Sequence, residues 1–150
     1  MACRLLTLCF VFSTLCYGHS ARAADDSAAK SEMLYRFTQE KRSIAQPLGP
    51  GVSGTGYKFL EVEVTSVVNP RLFPVIFELH YQSEEGTRVL LGGFGLYPSN
   101  NPGKFLVGTQ GKLKDGGSII LSLIIPDKLR ATDILEVTTK RIALTKGSQR

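Results

Sequence analysis

Two histidines and three cysteines bound the chemistry open to this chain. Cys3, Cys9 and Cys16 all fall within the first sixteen residues, and His19 follows just after them. Beyond residue 23 there is one histidine, His80, one methionine, Met33, and no thiol. Zinc sites gather about three or four Cys, His or carboxylate ligands, and soft copper(I) sites want Cys or Met. One histidine and one methionine past residue 23 argue against either kind of site, so no metal and no other cofactor is expected. A serine hydrolase would have to use His80 as its base. Glu78 stands two residues before it and therefore on the same face of a strand. The two could tune each other, but that face is the polar one and reads as a wet surface pair. Glu61 and Glu63 also share a strand face. Carboxylates that cleave glycosides stand about 5–10 Å apart across a cleft, and these two have no aromatic platform near them in sequence. Gly92-Gly93-Phe94-Gly95 runs into Leu96-Tyr97-Pro98, whereas a phosphate-binding loop runs into a helix. It reads as a bending strand. These exclusions point to a chain that is not an enzyme.

The cysteines lie inside a stretch with the three parts of an export signal. Arg4 is the only early charge, Leu5 to Tyr17 is an apolar run of thirteen residues, and Ala21-Arg22-Ala23 is a small-x-small exit. The run is short of the roughly 20 residues that cross a bilayer as a helix. Cleavage is expected after Ala23, leaving a secreted or periplasmic chain without disulfides and without a transmembrane segment. The whole sequence carries 18 basic and 13 acidic residues, and losing Arg4 and Arg22 lowers its net charge from +5 to +3. That excess sits at the end, in Lys140, Arg141, Lys146 and Arg150, with no acid among them. Such a basic tail could touch anionic surfaces, or it could be a solvated, frayed terminus. Nucleic acid is not an expected partner, because the last eleven residues hold no aromatic for bases to stack on.

The elements that must position any site are strands. Residues 24–56 read as a polar arm, flexible or short-helical, followed by a Gly/Pro-rich linker. Met33, Leu34 and Phe37 have helix-like spacing, and four Gly and two Pro fall between Gln46 and Gly56. Over residues 57–145 the texture changes. Leu60, Val62 and Val64 alternate with acids and a threonine, and Val75, Phe77, Leu79 and Tyr81 alternate with Ile76, Glu78 and His80, as in strands with one buried face. Glu85-Gly86 marks a hairpin turn. Further strands are expected at 88–96, 104–109, 118–125 and 134–144. The nearly all-apolar 118–125 is expected to be buried on both faces, and Leu135 and Val137 are expected inward. Gly92 and Gly93 should mark a bulge or the close approach of another backbone. Six to seven strands without room for helices predict an all-β fold, an antiparallel β-sandwich of immunoglobulin or fibronectin-like size. Residues 146–150 are left as the basic tail.

Two proline-stiffened loops carry the candidate binding residues. Leu72-Phe73-Pro74 offers Phe73, and Tyr97-Pro98-Ser99-Asn100-Asn101-Pro102 offers Tyr97, Asn100 and Asn101. Anchored aromatics lose little entropy on binding, so stiff loops of this kind suit protein recognition. The expectation is an exported accessory module whose partner is another exported or envelope protein. A small-ligand or carbohydrate module, which would need a concave pocket, and a hydrolase using His80 are the alternatives. The same loops could instead cap the ends of the sandwich.

Residues 62–126 resemble the β-sandwich module at the C-terminal end of plant-type polyphenol oxidases and related type-3 copper enzymes. The carriers are Val75-Ile76-Phe77-Glu78-Leu79, Leu91-Gly92-Gly93-Phe94 and Ser118-Ile119-Ile120-Leu121-Ser122-Leu123-Ile124-Ile125-Pro126. The resemblance implies a module that accompanies, and can shield, an active site built elsewhere. It carries no copper ligand and no site residue onto this sequence.

Overall fold

The computed structural model describes residues 33–52, 56–125 and 129–146. The expected leader over 1–23 and the expected tail residue Arg150 lie outside the described residues. Among the described residues there are nine strands, and all their pairings are antiparallel: β1 (Leu34–Phe37), β2 (Ser43–Pro47), β3 (Phe59–Val68), β4 (Ile76–Gln82), β5 (Arg88–Gly95), β6 (Gly103–Gly108), β7 (Ser118–Ile124), β8 (Glu136–Lys140) and β9 (Ala143–Thr145). They form two sheets. The first runs β1-β8-β3-β6 with β9 also beside β3, and the second runs β2-β7-β4-β5.

Period-two alternation supplies the core between them. Leu60, Val62 and Val64 from β3, Phe77, Leu79 and Tyr81 from β4, and Leu135 and Val137 at the start of β8 are all buried, as their spacing predicts. The β4–β5 register slips between Leu79 and His80, so Leu91 is an extra residue in β5. The glycines that foretell this bulge also admit a close backbone. A Cβ on Gly93 would lie 2.6 Å from the Phe77 carbonyl oxygen, well inside contact distance.

Four expectations need correction. First, the polar arm contributes two strands of the sandwich: β1 pairs with β8, and β2 pairs with β7. Strand geometry puts Phe37 in the core at 0% exposure and leaves Met33 and Leu34 outside, so the helix-like spacing is accidental. The alternation in β2 is hidden because one buried position is a glutamine. Gln46 lies inside because its side-chain amide imitates a strand backbone, donating to the Ile142 carbonyl at 2.9 Å and accepting from the Ile142 amide at 2.9 Å. It thereby stitches the second sheet to the kink between β8 and β9. Second, β7 is buried on one face only. Ile119, Leu121 and Leu123 face the core, while Ile124 is 39% exposed on the other side. Third, the basic tail is structured through Lys146. Lys140 belongs to β8, and the Lys146 ammonium lies 5.7 Å from the centre of the Tyr57 ring. Fourth, the connectivity is not immunoglobulin-like. Strand pairs β1–β8, β2–β7, β3–β6 and β4–β5 nest one inside the next, as when one long hairpin is folded over and wrapped. This is the jelly-roll order, a double-sheet solution to the problem of exposed edges.

One core position is chemically mismatched. Thr139 is fully buried on β8, and its hydroxyl finds no hydrogen-bond partner among the described residues. A buried hydroxyl without a partner loses its hydration and gains nothing in return. Thr139→Val keeps the shape, so it is expected to raise stability by about 1–2 kcal/mol in urea unfolding. A loss of stability would show that the hydroxyl has a structural role.

Candidate functional site

Polar side chains tie together four loops that join the two sheets: β1–β2, β3–β4, β5–β6 and β7–β8. Asp133 is one knot. Its Oδ2 accepts from the Arg130 amide at 2.9 Å, its Oδ1 accepts from Arg71 Nη1 at 2.7 Å, and its carbonyl accepts from the Gln39 side chain. The Arg130 amide first, and then the Arg71 guanidinium, hold the Asp133 carboxyl below the usual carboxylate range. Asn69 is the second knot. Its Nδ2 donates to the Phe73 carbonyl at 2.8 Å and the Ser99 carbonyl at 3.3 Å, and its Oδ1 accepts from the Phe73 amide at 3.0 Å. The two proline-stiffened loops singled out in the sequence are therefore bonded to each other through Asn69.

On this scaffold the candidate residues take different roles. Tyr97 is 97% exposed, at the head of a turn in which the Asn101 amide donates to the Pro98 carbonyl at 3.0 Å. The Tyr97–Pro98 peptide is cis. Asn100 and Asn101 are exposed beside it. Phe73 is half-buried and sits under Arg71, whose guanidinium carbon is 5.5 Å from the ring centre. It props the loop from beneath, while its neighbour Leu72 is the residue displayed. Leu72 is 57% exposed and held at φ 53, a left-handed conformation that a leucine adopts only when its surroundings impose it. Ile134, next to Asp133, is 52% exposed and borders a shallow depression of about 170 Å³. The end of the sandwich thus presents Leu72, Tyr97 and Ile134 on loops fixed by Asn69 and Asp133.

The remaining candidates are engaged elsewhere. His80 Nδ1 lies 3.2 Å from an Arg88 guanidinium nitrogen. Guanidinium has only donors, so Nδ1 accepts and the ring proton sits on Nε2. Burial, then the Arg88 charge, pulls the His80 pKa below its ordinary value, against an opposing pull from Glu78. A triad histidine instead donates its Nδ1 proton to a carboxylate. Glu61 and Glu63 belong to a charge lattice on the outer face of the first sheet. Lys104 lies 3.5 Å from Glu61 and 3.3 Å from Glu63, and Lys140 lies 3.1 Å from Glu63. The hydrogen bond from Lys140 chiefly, with help from Lys104, holds the Glu63 carboxyl below its ordinary range. Arg141 is exposed at the β8–β9 kink, where its amide donates to the Met33 carbonyl at 3.0 Å. Among the described residues no three His, Cys, Asp or Glu side chains gather as metal ligands do, and no helix is long and apolar enough to cross a membrane.

No protein-family model matches the chain, and no curated protein matches it.

Asn69, Asp133 and Leu72 are the site residues that sequence reasoning passes over. An asparagine before a proline reads simply as a turn. Its ability to satisfy one amide and two carbonyls in separate loops is a property of the fold.

Proposed function

We propose that this chain is an exported, non-enzymatic binding module that recognises another protein through the four-loop end of its jelly roll. The observation that carries the reading is Tyr97, a ring 97% exposed on a loop whose backbone is bonded into its neighbours. Tyrosine supplies a large contact area with few rotatable bonds. A loop already held in place has less entropy to lose when a partner docks. The depression beside Ile134 is smaller than the roughly 300–1,000 Å³ of small-ligand pockets, which favours a protein surface over a small molecule at this end. The resemblance to a module that accompanies an enzyme supports the same accessory role.

The test is affinity capture from the native extracytoplasmic fraction, with wild-type protein and a Tyr97→Ala variant side by side. A discrete partner should be retained by the wild type and at least about tenfold depleted with Tyr97→Ala, the size of effect that loss of an aromatic anchor produces. The melting temperature should stay within about 2 °C, because an exposed side chain contributes little to folding. Equal capture by the two proteins would dismiss the loop end as the binding surface.

A further inference from the structure

The opposite end of the sandwich carries two adjoining hollows. They form where the β4–β5 hairpin meets the loop from β6 to β7. The larger, about 280 Å³, has Thr87, Val89 and Lys112 in its walls. The smaller, about 140 Å³, has Glu84 and Asp115 instead. Tyr81, Ser83, Glu85 and Lys114 line both. The larger is close to the lower bound of the roughly 300–1,000 Å³ of small-ligand pockets.

The Tyr81 hydroxyl marks the place. Tyr81 faces inward near the end of β4 and is 4% exposed. Gly117, at φ 76, lies against the tip of its side chain, where a Cβ would be 3.1 Å from the hydroxyl. A tyrosine hydroxyl so placed usually finds a hydrogen-bond partner. This one makes no hydrogen bond among the described residues, yet it is not sealed inside the protein as the Thr139 hydroxyl is. It opens instead on the hollows that its own side chain lines. Other donors stand beside it. Ser83 Oγ accepts from the Thr87 amide at 3.1 Å, and its own proton meets no acceptor among the described residues. Lys112 Nζ is steadied by the Leu90 carbonyl at 3.2 Å, which leaves two of its three protons. No acid pairs with Lys112 or Lys114 among the described residues. The charges are unevenly shared. Two lysines face Glu85 alone around the larger hollow, whereas Glu84, Glu85 and Asp115 outnumber Lys114 around the smaller.

We propose that these hollows bind a small zwitterion, a free amino acid or short peptide with an apolar side chain. Its carboxylate accepts from Tyr81, Ser83, Lys112 and Lys114 in the larger hollow, where hydrogen bonds to a charged acceptor are the strong kind. Its ammonium donates to Glu84 and Glu85 at the smaller, and Val89 supplies an apolar wall for the side chain. A plain anion would face the acids of the smaller hollow, and a plain cation would face the two lysines. A molecule carrying both charges suits both. The site lies at the other end of β4 from the loops that display Leu72 and Tyr97, so it stands or falls independently of the protein-binding surface.

Titration calorimetry with alanine, leucine and leucylleucine tests this, using protein expressed from the whole sequence with any leader processed by the host. Leucine or leucylleucine should bind with Kd between about 10 μM and 1 mM. Whichever binds tighter tells a free amino acid from a short peptide as the natural ligand. N-acetylleucine lacks the ammonium and leucinamide lacks the carboxylate, so each should bind at least about tenfold more weakly than leucine. Tyr81→Phe removes only the hydroxyl and should weaken leucine binding about tenfold. Circular dichroism checks that it folds, and Lys114→Gln, an exposed change with the same expected loss, replaces it if it does not. Tyr97→Ala, at the far end, should bind leucine as the wild type does. No binding of any of the three compounds, equal binding of leucine and either blocked form, or wild-type affinity in folded Tyr81→Phe would each overturn the proposal. A loss of leucine binding in Tyr97→Ala would overturn it too.

Discussion

Phe77→Ala is expected to remove about 3–5 kcal/mol of folding stability, the cost of emptying a phenylalanine site in a packed core. Phe77 has 0% exposure and stands at the centre of a run of four rings. It meets Phe37 edge-on at 5.2 Å and 77°, and stacks on Phe94 at 5.2 Å and 25°. Phe94 in turn stacks on Phe105 at 4.3 Å and 11°. Phe37 and Phe105 come from the two edge strands of the first sheet, β1 and β6, whereas Phe77 and Phe94 come from β4 and β5 of the second. The rings therefore hold the sheets together from one edge to the other. Removing Phe77 opens a cavity and breaks two aromatic contacts, each worth about 0.5–1.5 kcal/mol beyond burial. Domains of this size have about 5–15 kcal/mol in total, so the variant should unfold at much lower urea or not fold at all. Ile76→Ala, one residue away but pointing outward, should cost under about 1 kcal/mol. A similar loss at both positions would mean that the alternation of β4 does not define the core.

That contrast also shows what was legible in the sequence. Wherever the inward positions are aliphatic or aromatic, as in β3 and β4, alternation is enough to place every side chain. It fails where a polar residue faces inward. Gln46 hides β2 because its burial depends on the Ile142 backbone, which lies 96 residues further on. Phe37 alone could not announce β1, since a strand of four residues is too short to establish a period. The strand order was out of reach for a related reason. Turn signals mark where strands end, but the nested pairing of β1 with β8 and β2 with β7 joins the ends of the domain, and no local pattern encodes it. The recognition loops were half legible. Proline and aromatic content flagged both of them. Which aromatic is displayed follows from contacts the sequence does not show: Arg71 lies against Phe73, and nothing covers Tyr97 to a comparable degree.

The loop end should depend on Asn69 more than on any residue it displays. Asn69 has 4% exposure, and its amide makes three hydrogen bonds to the backbones of two loops. Asn69→Ala leaves the Phe73 amide and the Phe73 and Ser99 carbonyls without this partner, in a place largely closed to water. Each stranded group costs about 1–3 kcal/mol unless the loop opens to hydrate it. A net loss of about 2–4 kcal/mol is expected, lowering the melting temperature by roughly 10–20 °C. Leu72, held at φ 53 between the carbonyl and the side chain of Asn69, should then relax out of its left-handed conformation. Asn69→Asp separates geometry from shape. The aspartate keeps an acceptor for the Phe73 amide but points a second acceptor at two carbonyls, so near neutral pH it should be about as damaging as alanine. The Phe73 and Ser99 carbonyls that face this carboxyl should disfavour its charge and so raise its folded pKa above the unfolded one. Its penalty is therefore full above the folded pKa and shrinks as pH falls through it, when the protonated carboxyl regains a donor. Thermal melts of the alanine and aspartate variants between pH 7 and pH 4 should diverge, with the aspartate variant gaining on alanine as the pH drops. Parallel curves would mean that the donor side of Asn69 carries no weight in holding the two loops together.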